Sequence, residues 1–135
     1  MSTIESKSTT GQRPLSPHLQ VYKWSWTMTM SIVHRVTGTG LYFGTVLLVV
    51  WLVAAASGKG TYDSVQWLFG SFLGRLILFG YTWALIHHLF GGLRHFVWEF
   101  GAGFDDTSRK ALSVGTLVVS VVLTLVIWIV GYAVR

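Results

Sequence analysis

Apolar residues run almost unbroken through three stretches of this chain, about 31–56, 69–98 and 111–134, and polar residues collect before and between them. A helix needs about 20 apolar residues to cross a bilayer core, so each stretch predicts a transmembrane helix with some tilt or overhang. Helix is the expected form because lipid offers no partner to backbone N–H and C=O groups. The third stretch, with Leu117-Val118-Val119-Ser120-Val121-Val122-Leu123, is β-branched and would suit a buried strand in water; its length and lack of turn residues favour a helix. Ser57–Asp63, with Gly58 and Gly60, predicts one polar connector, and Gly101–Lys110 the other. The expected fold is an all-α membrane protein with three transmembrane helices. Residues 1–30 form a cytoplasmic tail and docking segment, and 31–135 the membrane anchor.

Composition sharpens this picture. Only 11% of the residues are charged and 52% are hydrophobic, whereas a soluble domain has about 25% charged. The net charge of +5 comes from scattered Lys and Arg that flank apolar runs, without the basic stripe a nucleic-acid binder presents. No cysteine is present, which excludes an iron–sulfur cluster, a thiolate haem or a disulfide within this chain. Residues 1–30 lack an apolar signal core and a presequence pattern, so the first apolar run reads as a retained helix.

Positive charge near the membrane ends sets the expected orientation. Lys7, Arg13, Lys23, Arg109 and Lys110 lie on one side, Lys59 and Arg135 on the other. The amino terminus and second connector are therefore expected in the cytoplasm and the carboxyl terminus outside. Trp24, Trp26 and Trp98 would form the inner aromatic belt, Tyr62 and Trp67 the outer one.

The candidate chemistry lies in ionisable residues inside the spans, which are costly there and mark functional sites. His34 and Arg35 open the first span, and His87, His88, Arg94 and His95 close the second. Antiparallel order brings the two groups to one membrane face. On a helix His88, Gly92 and His95 share one stripe, and His87, Gly91 and Arg94 the next. A deep His with Gly one turn on suits a haem ligand beside a flat porphyrin; the same residues also suit helix packing with interhelical hydrogen bonds, or a proton relay. His87 and His88 project about 100° apart and cannot both ligate one iron, so a second axial ligand would come from a partner chain. Arg94 and His95 suit haem propionates or snorkelling to lipid phosphate. Ser31 and Arg35, one helical turn apart, suit a quinone headgroup whose carbonyl gains negative charge on reduction, or a helix cap with a snorkelling Arg. Gly40 and Gly44 read as helix-packing positions. The Pro-bearing run Arg13-Pro14-Leu15-Ser16-Pro17-His18 is either an irregular tether or a docking strip.

Arg13–His18, Ser31-Ile32-Val33-His34-Arg35-Val36-Thr37-Gly38 and His88 through Gly101, in that order on a three-span chain, resemble the cytochrome b membrane-anchor subunits of succinate dehydrogenase. The resemblance implies a succinate:quinone oxidoreductase in a bacterial cytoplasmic membrane. Its flavoprotein subunit oxidises succinate, an iron–sulfur subunit carries the electrons, and two anchor chains share haem b and bind quinone. By position, it implies His88 as axial haem ligand, Ser31 and Arg35 at the quinone, and His34, Arg35, Arg94 and His95 near the haem propionates. It also implies that Arg13, Pro14, Ser16, Pro17 and His18 meet the iron–sulfur subunit. Glu99 stands where this family more often has Asp, and keeps the charge. The alternatives are an anchor of a quinol:fumarate reductase, or a haem-free tether for a soluble dehydrogenase.

Overall fold

A computed structural model describes residues 23–134 of the chain. It contains four helices: α1 (Trp26–Ser57), α2 (Lys59–Gly70), α3 (Phe72–Glu99) and α4 (Asp106–Ala133). Helices α1, α3 and α4 have 32, 28 and 28 residues and are long and apolar enough to cross a membrane. The chain is a multi-pass, all-helical membrane protein.

Its interior is the inverse of a soluble core. The buried apolar residues among those described are Met30, Ala54, Ala84 and Ile86, while Thr37, His87, Arg94, Ser113, Thr116, Ser120 and Thr124 are also buried. Large apolar side chains such as Val46, Leu52, Ile77, Leu89, Val122 and Ile129 face outward. Lipid is as apolar as leucine, so bundles in membranes associate through small residues, close packing and interhelical hydrogen bonds. Helix α3 is central, with α4 along one side, α1 along another and α2 across its start. On α4 the buried Ser113, Thr116, Ser120 and Thr124 recur every three or four residues and form the face toward α3. Each hydroxyl also bonds back to a carbonyl of its own helix, at 2.7–2.8 Å.

The first connector differs from the sequence expectation. Instead of a polar Gly-rich link, residues 59–70 form α2. Gly58, with φ of 112°, makes the break after α1. Within α2, Tyr62, Val65 and Phe69 are half-buried at helical spacing, and the Lys59–Asp63 ion pair at 2.6 Å staples its first turn. Gly74 lets α2 fold back tightly, because a Cβ there would meet Phe69 Cα at 2.7 Å. Helix α1 also starts earlier than expected: its cap is Ser25, whose Oγ accepts the Met28 N–H. Ser31, one candidate cap on sequence grounds, lies inside the helix.

The second connector is only 100–105. Gly101 and Gly103 have φ of 75° and 74°, where a side chain would be strained. Asp105 then caps α4 by accepting the Ser108 N–H at 2.8 Å. That bond stabilises the carboxylate and holds its pKa below the ordinary value.

Candidate functional site

Because α1 and α3 pack antiparallel, the start of α1 meets the end of α3. His34 and His88 stack there, with ring centroids 4.0 Å apart and planes 11° from parallel. Each ring also bonds the other residue's backbone. His88 Nδ1 lies 3.2 Å from the His34 carbonyl and His34 Nε2 lies 3.3 Å from the His88 carbonyl. A carbonyl only accepts, so both ring nitrogens carry protons. In neutral His88 this leaves Nε2 with a free lone pair, and it has no hydrogen bond among the described residues. A ring oriented by Nδ1–H on a backbone carbonyl, with Nε2 available, is the arrangement of a metal-ligating histidine.

Glycines make this approach possible. A Cβ at Gly91 would overlap the His34 ring, and one at Gly38 would sit 2.9 Å from His88 Cε1. Gly92, one turn beyond His88, would place a Cβ in open space. A flat ligand therefore has unobstructed backbone beside His88. The Gly40–Gly44 pair divides differently from its sequence reading: Gly44 faces the Tyr81 ring closely, whereas Gly40 faces nothing within 4 Å.

Toward the membrane face lies a cavity of about 290 Å³ that includes Ser31, His34, Arg35, Arg94, His95 and Trp98 in its wall. Arg35 Nη2 donates to Ser31 Oγ at 3.2 Å. Arg94 is only 6% exposed, which excludes the snorkelling geometry for it. Its Nη1 donates to Ser113 Oγ at 3.0 Å and its guanidinium lies 5.1 Å from the Trp98 ring centroid. Its Nε is buried without a hydrogen bond, and no carboxylate pairs with it among the described residues. A buried cation without a counter-ion is costly, so a cavity walled by Arg94 and Arg35 favours an anionic or electron-rich ligand. The His95 ring is 5.8 Å from that of His34 and 5.0 Å from that of Trp98.

His87, on the neighbouring stripe, turns the other way. It is 1% exposed, its Nδ1 lies 3.2 Å from Ser120 Oγ on α4, and its ring stacks on Trp83 at 5.2 Å. Ser120 spends its proton on the Leu117 carbonyl, so it accepts from His87. This histidine serves helix packing. Ser113 and Ser120 did not stand out in the hydropathy of the third span; their signal was the Ser/Thr spacing along α4.

The sequence-derived residues Ser31, His34, Arg35, Arg94 and His95 thus share one cavity, and His88 stacks on its inner edge. Among the described residues no group of three His, Cys, Asp or Glu forms a metal site from this chain alone. An iron at His88 would need its remaining ligands from a porphyrin and a partner, which the free Nε2 and open Gly92 backbone allow. The Arg13–His18 strip lies outside the described residues.

Comparison with known proteins gives the family of the chain. The family model for the succinate dehydrogenase/fumarate reductase transmembrane subunit matches residues 9–127. The chain is 44% identical over 124 residues to the succinate dehydrogenase cytochrome b556 subunit of Paracoccus denitrificans, covering 89% of this chain and 95% of that one. It is 33% identical over 118 residues to the subunit of the same name from Rickettsia prowazekii, covering 87% and 92%. It is also 34% identical over 126 residues to the mitochondrial succinate dehydrogenase cytochrome b560 subunit of Bos taurus, covering 90% and 73%.

Proposed function

Since the chain belongs to the succinate dehydrogenase/fumarate reductase transmembrane subunit family, we propose that it is the haem- and quinone-binding membrane anchor of a succinate:quinone oxidoreductase. The observation that carries this reading is the convergence of Ser31, His34, Arg35, Arg94 and His95 on one cavity beside His88. The names of the relatives favour succinate oxidation over fumarate reduction as the working direction. The complex lies in the bacterial cytoplasmic membrane, with the amino terminus and the 100–105 turn on the cytoplasmic side. A second anchor chain supplies the other half of the haem site, and the iron–sulfur subunit docks on Arg13–His18 and links to the flavoprotein subunit.

Haem b, when bound, supplies a one-electron redox centre within the membrane. His88 would hold it through Nε2, with the His34 carbonyl fixing the ring and raising its basicity. Arg94 and His95 would offer donors to the propionates, with His34 beside them, its Nε2–H already given to the His88 carbonyl. At the quinone, Ser31 orients one carbonyl oxygen, and Arg35 stabilises the negative charge that develops there on reduction.

Ser31→Ala and Arg35→Ala test the quinone assignment. A hydrogen bond to a charged group is worth about 1.5–3 kcal/mol, so Arg35→Ala should lower kcat/KM for quinone by roughly 10- to 100-fold. Succinate oxidation with an artificial acceptor should change little. Equal loss of both activities in an assembled, flavin-replete complex would reject the assignment.

A further inference from the structure

A second cavity lies in the opposite half of the bundle and shares no residue with the site above. It measures about 670 Å³ and opens between α1, α2, α3 and α4, a volume in the range of small-molecule sites. Its wall runs from Arg75 to Thr82 on α3 and from Trp51 back to Gly44 on α1. Seven residue steps on each helix rise about 10 Å, most of the roughly 15 Å depth of one leaflet's hydrocarbon. The inner wall is largely apolar, with Leu47, Leu78 and Ile127. Arg75 and Gln66 line it toward the start of α3, and farther along Trp128 Nε1 donates to Thr82 Oγ1 at 3.3 Å, so those two polar groups satisfy each other.

The Arg75 guanidinium has no acidic partner: the ion pairs among the described residues are Lys59–Asp63 and Arg109–Asp106. An apolar shaft capped by one unpaired cation fits an amphiphile with an anionic head. A reducible quinone fits poorly, because no His, Asp or Glu lines the shaft to supply protons. We infer that this cavity holds an acyl chain of an anionic phospholipid from the leaflet opposite the histidine cluster, with the lipid phosphate on Arg75.

The test uses the whole purified complex, stripped of lipid in detergent and titrated with phosphatidylglycerol or phosphatidylcholine while native mass spectrometry counts bound lipid. Wild type should retain one tight phosphatidylglycerol. Arg75→Gln should weaken that binding about fivefold, the contribution of one basic residue near an anionic headgroup, and leave phosphatidylcholine unchanged. Gly131→Leu is an independent variant: Gly131 lines the cavity, and a Cβ there meets nothing within 4 Å. It should weaken both lipids by occupying the shaft. The haem spectrum and quinone turnover in detergent should match wild type for both variants, which separates this site from the proposed redox function. Equal lipid retention in all three proteins would overturn the inference, as would equal affinity of wild type for the two lipids. Displacement of the lipid by a quinone analogue, or a photo-crosslinker at Tyr132 that captures the partner anchor instead of lipid, would overturn it as well.

Discussion

Replacing Gly91 with alanine adds a single methyl at a tight point of the α1–α3 contact. The new Cβ would overlap the His34 ring, a flat group held on two sides. Its Nε2 donates to the His88 carbonyl at 3.3 Å, and its face stacks on His88 at 4.0 Å. Overpacking of this kind costs about 1–3 kcal/mol. Moving the ring also loses an interhelical hydrogen bond, worth about 0.6–1.7 kcal/mol in a membrane bundle. The sum, about 1.6–4.7 kcal/mol, falls on the pair that orients His88. A tenfold change in an equilibrium needs only about 1.4 kcal/mol, so haem occupancy should fall by more than tenfold under limiting haem. The assay is a reduced-minus-oxidised visible spectrum of the purified complex, normalised to flavin, together with its unfolding temperature in detergent. Gly80→Ala is the control, because it lies on the same helix and its Cβ would meet nothing within 4 Å. Haem content and unfolding temperature indistinguishable between the two variants would refute the reasoning.

Two further predictions follow from the packing and the caps. Ser120→Ala removes the acceptor of the buried His87 Nδ1–H and should destabilise the complex by about 0.6–1.7 kcal/mol in detergent unfolding, with the haem spectrum unshifted; a red- or blue-shifted haem band would place His87 in the redox site instead. Asp105 has its carboxyl pKa depressed by the Ser108 N–H, so its capping contribution is fully present above the ordinary carboxylate pKa and is lost as pH falls through the lowered folded value. Amide exchange in the first turn of α4 should therefore rise more steeply on acidification, after correction for intrinsic rates, in wild type than in Asp105→Asn; parallel profiles would remove Asp105 as the cause.

The three membrane spans were legible because hydropathy alone decides whether a segment of that length enters lipid. Helix α2 was not: Gly58 and Gly60 dominated the reading, although Tyr62, Val65 and Phe69 carry a helical period that matters only once α1 and α3 are there to cover it. The meeting of His34 and Arg35 with Arg94 and His95 could be read from antiparallel order. Which neighbour each of His87 and His88 contacts could not, since adjacent positions differ only by rotation, and it takes Ser120 on α4 to receive His87. Arg94 was ambiguous for the same reason. Its partner Ser113 lies 19 residues further along the chain, beyond any local pattern around Arg94.

The most direct test of the account is a pull-down through a tag on this chain from solubilised membranes, followed by a reduced-minus-oxidised visible spectrum of wild type and His88→Ala. The account predicts a low-spin b-type signal with co-purifying flavin and iron in wild type, and loss of that signal in His88→Ala with the same partners still bound. A full, unshifted haem signal in the assembled His88→Ala complex would contradict it.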